Sequence, residues 1–216
     1  MANLFLDYAL DGWMRRNHLI VPFERYADDI IVHCKSEGQA KRMKEDIGER
    51  LARCKLEMHS EKTKIVYCKD EDRKGKYQNE KFDFLGYTFR ARRSKNRWGK
   101  HFINFSPAVS DKATKGMRDT MRSWGLQRRS DKTLQDISNM FNPIIRGWIN
   151  YYGSYYKSAL YPTFWILNKV LMRWAMRKYK RLRGHQRRAR YWLEGIAKRE
   201  AQLFAHWQMG MQSTTE

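Results

Sequence analysis

The stretch RYADDIIVHC (Arg25 to Cys34) places Asp28 and Asp29 side by side, just before a run of apolar and β-branched residues. Adjacent carboxylates are a donor set for a hard divalent cation such as Mg²⁺. Such an ion takes oxygen ligands and keeps several waters, so one or two carboxylates beside substrate phosphates suffice. Two such ions, about 3.5–4 Å apart, can stabilise the attacking and leaving oxygens of a phosphoryl transfer together. Consecutive residues of a strand point to opposite faces, so both acids serve one site only if the chain turns at or beside them. The spacing therefore predicts a hairpin with the acids at its tip. The same letters also suit an exposed Asp-Asp turn that binds nothing.

A second kind of chemistry is written in the C-terminal half. The run RWAMRKYKRLRGHQRRAR (Arg173 to Arg190) holds nine basic residues and no acid. Among them Arg173, Arg177, Lys178, Lys180, Arg181, Arg183, Arg187 and Arg188 are candidates for RNA phosphates. An ordinary solvated helix face would carry acids in between. Upstream, Trp148, Tyr151, Tyr152, Tyr155 and Tyr156 interleave with Arg146 and Lys157. Aromatic faces beside cations stack unpaired bases and neutralise phosphates. Aromatic stripes at helical spacing also build cores, and Trp148 and Tyr152 are assigned to packing. Arg146 is open to either RNA or a buried cap.

The elements that must position these residues follow from periodicity and punctuation. Leu4, Tyr8, Leu10, Trp13 and Met14 approximate one face of a helix ending before Pro22. Asp7 and Asp11 on that helix read as surface or structural acids. Ser36, with Gln39 three residues on, opens a helix carrying Ala40, Met43, Ile47, Leu51 and Cys54 to about Arg53. KTKIVYC (Lys62 to Cys68) predicts a strand, and a polar lysine-rich loop with Tyr77 as its anchor follows. FDFLGYTFRAR and HFINFSP predict a hairpin across RSKNRWGK. Then Ser110 caps a helix with the stripe Val109, Ala113, Met117, Met121 and Trp124, stopped by Gly125. Ser130 is expected to cap a second helix with Leu134, Ile137 and Phe141, and Pro143 to open a third. The longest helix is expected from about Pro162 to Leu182, with ARYWLEGIAKREAQLFAHW as the last. The fold class expected is α+β, with β-hairpins and a helix over 1–106 and helices alone over 107–216.

Composition narrows the partners. The chain has 216 residues, 44 Lys and Arg against 23 Asp and Glu, a net charge of +21, and 14% aromatics. That charge attracts polyanions before any specific contact forms, and nucleic acid is the polyanion favoured. A membrane-surface role fits less well, because the cations are spread over helices rich in Trp and Tyr rather than one amphipathic segment. The opening residues read as neither a signal peptide nor a membrane span. Cys34, Cys54 and Cys68 lack paired spacing, which points to free thiols in a reducing cytoplasm rather than zinc or disulfides. His33, His59, His101, His185 and His206 show no ligand spacing.

In order, RYADDIIVHC, LEMHSEKTKIVYC and FDFLGYTF resemble the later palm blocks of a reverse transcriptase. FNPIIRGWINYYGSYY, RWAMRKYKRLRG and LFAHW resemble the thumb and maturase region. Together, from about Ala2 to Met209, the chain resembles a bacterial group II intron-encoded reverse transcriptase/maturase. The resemblance implies a partial palm over 1–106 and a helical thumb and maturase domain over 107–216. It implies metal-binding, catalytic roles for Asp28 and Asp29, and a place for Lys62 near the incoming nucleotide's phosphates. It further implies substrate and primer contacts for Tyr26 and for Phe84, Leu85 and Gly86, the last three as a primer-gripping hairpin. A solvated Lys62 and a core strand with a glycine bulge are the plainer readings of the same residues. Mg²⁺ is the implied cofactor, intron RNA the partner, and a DNA target or primer a partner of the intact enzyme. The fingers and first palm block have no counterpart here. The expectation is therefore a C-terminal part of the enzyme, inactive alone, with an upstream complementing fragment unknown. The alternative is a non-catalytic RNA-binding module that assists splicing. No cysteine-paired His-Asn-His nuclease is seen.

Overall fold

A computed structural model describes residues 2–211, which divide into two compact units meeting between Phe82 and Asp83. Each is described by itself.

The first unit opens with helix α1 (Ala2–Leu6), a π turn (Asp7–Asp11) and helix α2 (Gly12–Asn17), one helical segment with a wide turn in its middle. Strands β1 (Phe23–Tyr26) and β2 (Asp29–Val32) form an antiparallel hairpin, and α3 (Glu37–Arg53) follows. Ser36 caps α3 as its spacing predicts, its Oγ accepting from the Gln39 amide at 3.2 Å. Leu10, Met14, Val21, Met43, Ile47 and Leu51 form the core, with Phe23, Ile30 and Val32 of the hairpin packed on it.

Two sequence expectations for this unit are corrected. The buried face of the first helix is Ala9, Leu10, Asp11 and Met14, whereas Leu4 and Tyr8 are exposed. The π turn accounts for the change, because it shifts the register by about one residue relative to a uniform 3.6 period. Lys62–Cys68 is not a strand among the described residues. Lys62 sits in a turn, its amide donating to the His59 carbonyl at 3.2 Å. Farther along, the Tyr67 amide donates to the Asn79 carbonyl and the Asn79 side chain to the Ile65 carbonyl. A β-branched run needs a partner strand to become a ladder, and these isolated bonds do not supply one. Tyr77 does anchor the polar loop, packing on Tyr67 with ring centroids 4.2 Å apart.

The division between units falls inside β3 (Lys81–Phe84), which turns through Leu85 and Gly86 into β4 (Tyr87–Lys95). β4 pairs antiparallel with β5 (His101–Val109), and the sheet order is β3-β4-β5. Helices α4 (Asp111–Ser123), α5 (Leu134–Tyr152), α6 (Tyr161–Lys178) and α7 (Gln186–Arg199) complete the second unit. Val109, Met117, Met121 and Trp124 are buried as the stripe on α4 predicts, beneath Phe141, Ile145, Phe164, Leu171 and Trp174. The architecture is mixed α+β, as expected.

The helix boundaries differ in instructive ways. Thr133, not Ser130, caps α5, through a capping box in which Asp136 reciprocates. The donating Thr133 amide and hydroxyl hold the Asp136 carboxyl below its ordinary range. Pro143 lies inside α5 rather than opening a new helix. An interior proline costs about 3 kcal/mol, which the burial of Phe141 and Ile145 on either side offsets. The helix expected to run to Leu182 ends at Lys178. Tyr179 is extended, Lys180–Leu182 is a 3₁₀ turn, and Gly184 is left-handed at φ +75°. α7 ends at Arg199, so the expected helix does not continue to Trp207; Phe204 and His206 pack into the core from bends and turns, and Trp207 from the start of a 3₁₀ turn (Trp207–Met209).

Candidate metal hairpin and nucleic-acid surface

In the first unit the β1–β2 register pairs Phe23 with Val32, Arg25 with Ile30 and Tyr26 with Asp29, leaving Ala27 and Asp28 as a two-residue turn. Alternation then sorts the side chains. Phe23, Ile30 and Val32 share the core-facing side with Arg25, whereas Glu24, Tyr26, Asp29 and Ile31 share the other. Asp28, in the turn, lies outside the alternation, so the strand pleat does not force it to the face opposite Asp29. Both are exposed, and neither carboxylate is held by a hydrogen bond or ion pair to another described residue. Tyr26, opposite Asp29, is 62% exposed.

Ala27 sits at φ +55°, a left-handed backbone that a residue with a Cβ adopts at a cost of order 1–3 kcal/mol. Arg25 holds that conformation. Its Nη1 donates to the Ala27 carbonyl at 2.9 Å, while Nε and Nη2 donate to the two oxygens of Asp11 at 2.8 Å each. The pair is nearly dry, with side chains 11% and 9% exposed. Asp11 reaches the hairpin from the end of the π turn. The sequence makes neither role legible: Asp11 reads as a surface or structural acid, and Arg25 as a neighbour of the motif. The signal available was that Arg25, two places before Ala27, would share the buried face if the chain turned at Ala27 and Asp28.

The carboxylate pair suits a hard divalent cation that retains waters. No group of three or more His, Cys, Asp or Glu among the described residues gathers to complete a protein-only cage. Lys62 is exposed in its turn, and no ion pair joins it to Asp28 or Asp29 among the described residues.

In the second unit Phe84, Leu85 and Gly86 do form a tight hairpin turn. Leu85 (φ +50°) and Gly86 (φ +78°) are both left-handed, the signature of a type I′ turn. Tyr151 Oη donates to the Leu85 carbonyl at 2.9 Å, and the Ser110 amide to the Gly86 carbonyl at 2.9 Å. A Cβ on Gly86 would lie 2.8 Å from Tyr152 Oη. Tyr87 hydrogen-bonds the Tyr151 carbonyl and packs against Tyr151, Tyr152 and Tyr155 with centroids 5.4–5.5 Å away. Trp148 stacks on Trp124, so it and Tyr152 are packing residues as assigned.

The basic run is folded around the α6–α7 connection, from the last turns of α6 to the first turn of α7. Arg173, Arg177 and Arg183, with Gln127, Met176, Gly184 and Gln186, line an open groove of about 820 Å³. Lys180, Arg181, Arg187 and Arg188 are exposed nearby in the chain, and Arg146 is exposed on α5. Lys178 is half-buried and donates to the Ser130 carbonyl at 2.8 Å, which gives it a structural task. Arg188 reaches the Arg181 carbonyl, and Arg187 lies over Tyr191.

The chain thus sets a hairpin of paired acids ahead of a cationic helical half, an order that the family comparisons interpret. Residues 1–89 match the family model for reverse transcriptase (RNA-dependent DNA polymerase), and residues 114–192 match that for the group II intron, maturase-specific domain. With both in this order, the chain belongs to the group II intron reverse transcriptase/maturase family. The reverse transcriptase family uses divalent metal ions. A search of curated proteins found no match. No helix among the described residues is long and apolar enough to cross a membrane.

Proposed function

We propose that this polypeptide binds group II intron RNA through its helical part and, by itself, does not copy it. The observation that carries the reading is the convergence of Arg173, Arg177 and Arg183 on one groove, within the span that matches the maturase-specific domain. Residues 107–216 act as the thumb and maturase domain, and residues 1–106 as the distal palm. Arg146, Lys180, Arg181, Arg187 and Arg188 extend the phosphate-binding surface, with Lys178 bracing it from within. RNA splicing is the process served, in a bacterial cytoplasm, where the three free cysteines remain reduced.

The polymerase residues keep their assigned roles in this reading. Asp28 and Asp29 are the catalytic carboxylates and would hold Mg²⁺, which when bound supplies charge stabilisation for nucleotidyl transfer. Arg25 fixes the turn that presents them, Tyr26 lies opposite Asp29 on the substrate side, and Lys62 serves nucleotide phosphates. Phe84, Leu85 and Gly86 hold the primer, and a DNA target is a further partner in this reading. The proposed inactivity of this polypeptide alone rests on the two carboxylates having no third among the described residues.

The test is binding of a structured RNA across a salt series. Replacing Arg173, Arg177 and Arg183 together with Gln should weaken binding and flatten the slope of log K against log salt by about 2–3, for three lost phosphate contacts. Unchanged affinity and slope would reject the groove. Mg²⁺-dependent primer extension by the purified chain, abolished by Asp28→Ala, would reject the proposed inactivity.

A further inference from the structure

We infer that the β4–β5 ribbon is a second nucleic-acid contact, with Trp98 at its tip stacking on an unpaired RNA base. This rests on the reading that the chain holds RNA, but on none of the residues assigned to that task. Trp98 is 75% exposed. An indole is worth most when buried, so a tip that leaves three-quarters of it in water has a surface to offer a partner. Four hydrogen bonds hold the turn that carries it. The Asn96 amide donates to the Lys100 carbonyl at 2.9 Å and the Gly99 amide to the Asn96 carbonyl at 3.0 Å. Asn96 Oδ1 accepts from the Trp98 amide at 3.0 Å and the Lys100 amide at 2.9 Å, and Gly99 supplies the left-handed residue at φ +84°. A pre-ordered ring loses little entropy on contact.

Charge says what the partner is. Between Phe84 and Ser110 the chain has Arg90, Arg92, Arg93, Lys95, Arg97 and Lys100 and no acid. The Arg97 guanidinium sits 4.1 Å from the Trp98 ring centroid, leaving the other face for a base. By the register, Arg93 and Lys95 of β4 share one face of the ribbon with Ile103 and His101 of β5. Arg92 is set apart from these cations. It is half-buried on the opposite face, donates to the Ser106 and Thr88 carbonyls, and lies over Tyr156. A flat aromatic tip flanked by exposed cations matches a single strand, whose bases offer π faces and whose phosphates follow at nucleotide spacing. A fully stacked duplex offers no exposed base face to one rigid ring.

The experiment measures binding of the full chain to a labelled, unstructured single-stranded RNA by fluorescence anisotropy. Trp98→Ala should weaken it about tenfold, Trp98→Phe should retain most of the affinity, and the same pair should leave duplex RNA unaffected. Because the turn's hydrogen bonds come from the backbone and Asn96, Trp98→Ala leaves them in place. An equal loss on single-stranded DNA supports the stacking site and widens its ligand to either sugar. If the Arg173, Arg177 and Arg183 variant loses RNA while Trp98→Ala binds as before, the ribbon site is wrong and the proposed function stands. If the unaltered chain binds no RNA, both fall. Loss of anionic-vesicle binding by Trp98→Ala, with RNA affinity unchanged, overturns the inference in favour of a membrane contact.

Discussion

At the residue scale, the two candidate acids are loosely held, and the constraint on their hairpin lies in neighbouring residues. Asp28 and Asp29 are open, while Arg25 and Asp11 hold the turn beneath them. Removing one partner of this part-buried, bidentate pair leaves the other charge without its hydrogen bonds and costs about 1–3 kcal/mol. Arg25→Gln and Asp11→Asn should each lower the urea midpoint by a corresponding amount, and the double variant should lose much less than their sum. Additive losses in that cycle would mean the two side chains are not coupled. Gly86 is fixed in the same local way. Gly86→Ala meets a left-handed φ and the Tyr152 hydroxyl at once, so a loss of about 1–3 kcal/mol is expected. Tyr152→Phe in that background should recover part of it, as read by chemical unfolding.

At the scale of elements, propensity and packing agree where a cap or stop has a local partner. Ser36, Ser110 and Gly125 perform as their spacing predicts because each acts on residues within one turn. Disagreement arises where a further contact decides. Ser130 and Thr133 are both competent caps, and Asp136 selects Thr133 by completing the box. Pro143 would end an isolated helix, yet α5 continues because its apolar face is buried on both sides of the proline. The helix that opens the basic run is expected to reach Leu182, but it ends at Lys178, and Tyr179 and Gly184 bend the chain into the α6–α7 connection. That bend brings Arg183 to the same groove as Arg173 and Arg177.

At the scale of the whole molecule, the second unit is closed by a buried polar lock near the C-terminal end of the described residues. His206 is fully buried and shares Asn168 Oδ1 with the Trp207 indole, at 2.8 Å and 3.0 Å, while Asn168 Nδ2 donates to the Met211 carbonyl. Burial pushes the His206 imidazole down from 6.5 to about 3. The unfolded chain therefore takes up a proton that the folded chain refuses between those values, so stability is full above pH 6.5 and falls as pH drops toward 3. The slope approaches about 1.4 kcal/mol per pH unit in that window. Urea midpoints should drop between about pH 7 and pH 5, and His206→Gln should be weaker near pH 7 with a smaller drop. An equal drop in the variant would move the acid sensitivity to other groups.

Residue types and their order already specify the class of the fold, the succession of motifs and the sign of the chain's own charge. These depend on local periodicity and composition, which no packing arrangement alters. Folding in three dimensions alone settles which acid the hairpin leans on, where the basic run bends, that Lys62–Cys68 stays unladdered, and that a tryptophan stands in solvent at the ribbon's tip. Each of those is set by contacts between residues far apart in the chain or by the absence of a neighbour, and a one-dimensional pattern carries no record of either.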